Sequence, residues 1–254
     1  MRKLVVILLS FIVLCFSSCV DIEERYDFAA NGSCKVIYSF DMSRAVSVFM
    51  NLLSDSVKST PQFALVKDTT LNFYSTIPDS SQRKLNVEET AMAINSDLGV
   101  KMDLKKNMMQ VKIAYLAKTP DDLQYYLNHL SMLSVSGQLS SITGKAPESG
   151  LARQPLLTAG QDYYSYRVTP EKFMRIIDKE KFRAFLKKTQ SALSAAKAML
   201  VDMPYKVVLN FAKPVKKVDN PKAILSDDRR QLTLSATIDD IIKDPTVMNL
   251  SVDF

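Results

Sequence analysis

Apolar residues at every second position recur along this chain, and that period commits it to strands with one buried face. Cys34, Val36, Tyr38, Phe40 and Met42 alternate within Ser33 to Met42. Val100, Met102 and Leu104 alternate, Lys105-Lys106-Asn107 turns, and Met109, Val111, Ile113 and Tyr115 alternate again: a hairpin. Asp162 to Val168 reads as a strand carrying Tyr163, Tyr164 and Tyr166. Tyr205 to Phe211, Leu232 to Ile238 and Met248 to Phe254 close the chain with three more. Ala223 to Leu225 is short and apolar, Asp227-Asp228-Arg229-Arg230 is a polar turn, and Asp239 to Lys243 is one helical turn.

Helical spacing fills the middle. Ser43 is placed to cap a helix over about 44–57 whose apolar face holds Val46, Phe49, Met50 and Leu53. Asn86-Val87-Glu88-Glu89 starts a helix running to about Asn95 and ended by Gly99. Thr119-Pro120-Asp121-Asp122 starts another, reaching Val135, with a cap, a proline at the first helical position and two first-turn acids. Adjacent helical residues point about 100° apart, so Asp121 and Asp122 do not make a catalytic pair. Thr169-Pro170-Glu171 repeats this signature and predicts one or two helices from Pro170 to about Val201, bent near Asp178 to Lys181. Such a basic amphipathic helix packs on a sheet or lies on a membrane surface. Residues 59–81 read as a loop with a short helix or strand. Ser134 to Gly160, rich in Ser, Gly and Pro, reads as a loop or subdomain boundary. The expected fold is α+β: one antiparallel sheet, its first and last strands meeting, with helices packed mainly on one face. Residues 86–135 form a candidate sublobe.

The first nineteen residues form a leader. Arg2 and Lys3 precede an apolar run from Leu4 to Phe16 broken by Ser10, shorter than the roughly 20 residues a bilayer crossing needs. The run ends in Phe16-Ser17-Ser18-Cys19, which resembles a bacterial lipobox, with Phe where that class usually has Leu. The resemblance implies removal of residues 1–18 and lipidation of Cys19. The alternative is an ordinary signal peptide whose cleavage site contains a cysteine. Residues 19–32 then read as a lipidated acidic tether, and 33–254 as the domain. Asp21, Glu23 and Glu24 are similar to the surface-export signal of some Gram-negative lipoproteins, or are simply a solvated acidic run. The second position after the cysteine is Val20, so an Asp-based inner-membrane retention signal is absent, and the outer membrane is the expected location, facing the surface or the periplasm.

Removing the leader leaves 236 of 254 residues and lowers the formal charge from +6 to +4 as Arg2 and Lys3 depart. That charge is mild and scattered, so no nucleic-acid partner is expected. Cys15 leaves with the leader and Cys19 goes to lipid, so Cys34 stands alone and is expected on a buried strand face. The single His129 argues against His-based metal sites and most His-dependent acid–base mechanisms, and Gly144-Lys145 lacks the phosphate-loop frame, so no metal or cofactor is expected.

Tyr205 to Phe254 resembles the LppM-like lipoprotein domain. The matching parts are Val207 to Phe211, Pro214-Val215, Asp227-Asp228, Leu232 to Ile238, Asp239 to Ile242 and Leu250 to Phe254. The resemblance implies an α+β sheet with helices on one side and brings no catalytic residues. The chain is thus expected to be a non-catalytic, membrane-anchored envelope lipoprotein that binds a protein or glycan partner or a small apolar ligand. The alternatives are a carboxylate-based hydrolase of envelope or extracellular glycans and a surface assembly component.

Overall fold

The structure, a computed structural model, describes residues 20–64, 66–77, 79–130, 163–198 and 203–254. The leader, Cys19 and the 134–160 stretch lie outside the described residues. The fold is α+β, built on two sheets rather than one. Sheet A has eight strands: β1 (Asp21–Phe28), β2 (Cys34–Asp41), β3 (Val66–Asn72), β4 (Ser96–Asp103), β5 (Met108–Ala117), β8 (Pro204–Phe211), β10 (Ile224–Leu225) and β11 (Gln231–Thr237). Their order is β10-β11-β8-β1-β2-β5-β4-β3. Sheet B, in the order β6-β7-β12-β9, has β6 (Tyr164–Thr169), β7 (Lys172–Ile177), β12 (Leu250–Asp253) and β9 (Lys217–Val218). Every pair is antiparallel except β1 with β8. The first strand is central in sheet A and the last lies in sheet B, so the two do not meet as expected.

Alternation decides which side of sheet A is buried. One row across it runs Leu232, Leu209, Tyr26, Val36, Tyr115 and Ser96, all buried. Sheet B covers this face, with Phe173 of β7 packed 5.2 Å from the Tyr26 ring. Cys34 belongs to the same face and is 1% exposed, so burial pushes its thiol pKa up. Residues 86–135 contribute β4 and β5 to sheet A, and residues 205–254 contribute strands to both sheets. Neither segment is set apart, and one core spans them.

The helices are α1 (Ser43–Leu52), α2 (Asp55–Lys58), α3 (Phe73–Thr76), α4 (Asp79–Gln82), α5 (Val87–Ile94), α6 (Pro120–His129), α7 (Lys179–Ala198) and α8 (Ile238–Lys243). Asn86 and Glu89 form a capping box on α5, and Thr119 and Asp122 form one on α6, so these two starts are where local chemistry places them. Asp122 is therefore a structural cap. His129 stacks on Tyr125 at 4.1 Å, and its Nδ1 lies 2.8 Å from the Tyr125 carbonyl oxygen. Gln124 and Asn128, one turn apart on α6, hydrogen-bond the backbone of Val168 and Tyr166. The helix thereby closes the open edge of β6, which would otherwise offer unpaired amides.

Other expectations shift. Ser43 does not cap α1; Met42 occupies the cap position, and the Ser43 hydroxyl accepts from the Met109 amide of β5. Gly99 lies inside β4 rather than ending α5. Residues 59–81 hold the edge strand β3. Thr169-Pro170-Glu171 is no helix start: Thr169 pairs with Lys172, and Pro170-Glu171 is the tip of the β6–β7 hairpin. Proline suits a turn there because its missing N–H is not needed by the ladder. The helix begins only after the hairpin has returned, behind Asp178, whose carboxylate accepts from the Glu180 and Lys181 amides. Helical spacing in Phe173, Ile176 and Ile177 is misleading, because the buried set is Phe173, Arg175 and Ile177. The charge at the middle inward position hides the period of two.

Candidate functional site

The acidic run after Cys19 is folded, not a tether. In β1, Ile22, Glu24, Tyr26 and Phe28 point inward, while Asp21, Glu23, Arg25 and Asp27 point outward. Strand pleating leaves no other choice once Tyr26 and Phe28 are core residues. Of the candidate export residues, Asp21 is exposed and Glu23 partly so, but Glu24 is 0% exposed. It therefore cannot belong to a solvated acidic cluster. Glu23 bonds Lys206 at 2.6 Å and Arg25 at 2.8 Å. Burial acts to raise its pKa, but the hydrogen bonds from Lys206 and Arg25 outweigh it and hold the carboxyl below its usual range.

Glu24 interrupts an otherwise apolar row, Leu234, Val207, Tyr38, Ile113 and Leu98, in the middle of sheet A. Its partner comes from the other sheet. Arg175 of β7 is 0% exposed, and its Nη1 donates to Glu24 Oε2 at 2.7 Å. Tyr26 donates to the same oxygen at 2.9 Å, and Tyr205 donates to Oε1. Arg175 Nη2 donates to the Tyr205 hydroxyl at 3.0 Å. The Tyr26 and Tyr38 hydroxyls are 3.1 Å apart. The guanidinium also stacks over Tyr164, 3.7 Å from the ring centroid, where the π face stabilises the cation.

Burial would strip the charge from Arg175, but the Glu24 carboxylate beside it holds its pKa well above the usual value. Burial also raises the Tyr26, Tyr38, Tyr126 and Tyr166 phenols far above theirs, so none supplies a phenolate near neutrality. Chemically the cluster is a closed ion pair wrapped in neutral phenols. With Glu24 and Arg175 fully covered, it has no face for a substrate. It joins β7 of sheet B to β1 of sheet A at one register. None of the sequence patterns points to it. Two signals bear on it after the fact: the inward phase of Glu24 between Ile22 and Tyr26, and of Arg175 between Phe173 and Ile177.

An open groove of about 370 Å³ lies between α7 and the end of α8. Phe182, Leu186, Ile242 and Pro245 make it apolar; Lys179, Arg183 and Lys243 make it basic. Asp244 is the one carboxylate among these lining residues. Hydrogen bonds from the Thr246 hydroxyl and amide hold its pKa low, and Lys179 adds to this, so it stays ionised as a turn cap. The groove can therefore take an anionic group beside an apolar surface, but offers no facing pair of carboxylates. Among the described residues, no cluster of three His, Cys, Asp or Glu side chains is arranged to hold a metal ion. No family model, curated protein or solved structure matches the chain.

Breaking a buried ion pair from one side leaves a charge without its partner, at a cost of about 3–5 kcal/mol. Glu24→Leu and Arg175→Met each lower the unfolding free energy by about that amount in urea titrations. The double variant recovers part of the loss, since two apolar residues leave no orphan charge. Strictly additive losses would show that the two residues do not act as a pair.

Proposed function

We propose that this protein is a lipid-anchored envelope lipoprotein of the Gram-negative outer membrane that acts by binding rather than by catalysis. The anchor reading rests on Phe16-Ser17-Ser18-Cys19 after a short apolar leader. Two or more acyl chains on Cys19 would hold the domain stably, at about 0.8 kcal/mol per buried CH₂. No helix among the described residues is long and apolar enough to cross a membrane.

The groove between α7 and α8 carries the binding half of the proposal. Three cations over an apolar floor favour a partner or ligand presenting an anionic group next to apolar surface. Glycan hydrolysis needs two carboxylates facing across a cleft, roughly 5–9 Å apart, one of them protonated. Asp244 is a single, ionised, hydrogen-bonded cap, and that favours binding over hydrolysis.

Mass spectrometry of protein extracted from membranes is expected to give a chain beginning at Cys19 and carrying acyl chains. Cys19→Ala moves the protein out of the membrane fraction. Wild-type protein recovered soluble with a free thiol at position 19 would sink the anchor. For the groove, a dansyl-labelled dodecanoic acid is the probe. Arg183→Glu with Lys243→Glu weakens its binding at least tenfold; unchanged affinity removes the groove from the proposal.

A further inference from the structure

An anchored domain is usually separated from its membrane by a linker, and here the sequence leaves almost none. β1 begins at Asp21, two residues after Cys19. Consecutive Cα atoms are about 3.8 Å apart, so Cys19 lies within about 8 Å of the first residue of a central strand. One end of sheet A is thereby tied to wherever Cys19 is held.

That end is defined by register. Asp21 pairs with Asp41, Asp41 with Gln110, Gln110 with Lys101, and Lys101 with Asp68. The chain leaves the sheet there after Asp41 and returns to it at Val66, which pairs with Asp103. Between these points run α1, α2 and the 3₁₀ turn Pro61–Ala64. The start of this excursion is fixed by the Met109 amide donating to Ser43 Oγ.

Its side chains are unusual. α1 buries Met50 and half-buries Val46 and Leu53 on one side. At about 100° per residue, Val48 and Leu52 fall together on the far side, and Phe49 lies between that side and the buried one. They are 41%, 44% and 77% exposed, and Val57 and Val66 continue the exposed apolar set at 39% and 61%. The remaining exposed large apolar residues among those described lie elsewhere: Val87 and Ile94 on one face of α5 with Leu116 beside the end of that helix, and Ile176 and Ile224 apart from them. So the apolar surface of α1 runs past what the core covers, through Phe49 to Leu52 and Val48, at the end of the sheet nearest Cys19. A concentration of exposed apolar side chains at one place marks a contact surface.

We infer that Val48, Phe49, Leu52, Val57 and Val66 form a membrane-contact face, inserted into the interface of the bilayer that holds the Cys19 lipid. The inference rests on the anchor reading above. The bilayer is the occupant because the linker is too short to lift this end of the sheet clear of it: Cys19 lies no more than roughly 20 Å from the start of α1. The contact is apolar rather than electrostatic. Three lysines at this end are matched by acids: Lys58 pairs with Asp55, Lys101 with Asp68 and Lys106 with Asp103. The sheet then stands with β1 rising from the membrane and the opposite end, at Asp27, Lys35 and Leu116, facing away.

The chain has no tryptophan, so one introduced residue reports alone. Full-length, membrane-extracted protein carrying Leu52→Trp is reconstituted in vesicles of phosphatidylethanolamine and phosphatidylglycerol containing brominated lipid. Leu116→Trp, at the far end of β5, is the reference. The indole at position 52 is expected to be quenched at least twofold by the brominated lipid and shielded from aqueous iodide, in high salt as in low. The indole at position 116 shows the reverse. Val66→Trp repeats the measurement on a second element, so failure of one variant to fold does not decide the outcome. Acylated protein whose residues 52 and 66 are open to iodide and untouched by brominated lipid overturns the membrane face and leaves the anchor standing. An indole at position 52 shielded from both quenchers points to a second copy or another protein over this face, and also overturns it. Protein whose mass shows no acyl chains takes down both readings.

Discussion

The Glu24–Arg175 ion pair is the constraint on which the arrangement of this molecule depends. A carboxylate placed in the middle of an apolar sheet face is costly alone, because leaving a buried charge unpaired takes about 3–5 kcal/mol, a large part of the margin of stability of a domain. It is tolerated because β7 delivers a guanidinium from the facing sheet, 2.7 Å away, and because Tyr26 and Tyr205 take up the remaining acceptor capacity. Sliding β7 along sheet A by two residues would keep its apolar residues buried but would separate the charges. The apolar contacts hold the sheets together; the ion pair selects their register. Such a pair contributes little net stability compared with well-packed apolar residues, so its value lies in that selection.

The same pair explains what could and could not be read from the sequence. Features set by nearest neighbours were legible. Asn86 with Glu89 and Thr119 with Asp122 are local capping boxes, and the hairpin around Asn107 turns where Asn adopts a left-handed φ of 52°. Tyr205 to Phe211 and Leu232 to Thr237 follow their alternation, and the last strand does so from Leu250, with Ile238 opening α8 and Met248 in a 3₁₀ turn. Features set by a distant partner were not legible. Asp21 to Arg25 has the composition of a solvated tether, and only the presence of Arg175, far along the chain, makes it a core strand. Lys172 to Ile177 was hidden by the same residue, since an arginine at the inward position breaks the pattern that marks a strand. Thr169-Pro170-Glu171 has the composition of a helix start, and tertiary pairing of Thr169 with Lys172 overrode it. The groove was equally out of reach, because α7 and α8 contribute to it from distant stretches of the chain.

Folding the post-cysteine run into the sheet changes the meaning of the proposed anchor. A lipoprotein with a long linker can search the space around its membrane, whereas one whose first central strand starts two residues after the lipidated cysteine has its orientation prescribed. The proposed binding groove and the proposed membrane face then occupy defined places on one fold with a shared core. Any partner of the groove would meet it at a fixed attitude to the bilayer. The outer face of sheet A, with Glu23, Arg25 and Lys206 in mutual ion pairs, is the solvated side of that body.

All of this requires β1 to be an integral strand rather than a tether, and hydrogen exchange reads that directly. In the mature protein, the amides from Ile22 to Asp27 should exchange only through global unfolding, as slowly as those of β2 and β8 that flank them. Exchange of this stretch at the rate of an unstructured peptide, while β2 and β8 stay protected, would contradict the account.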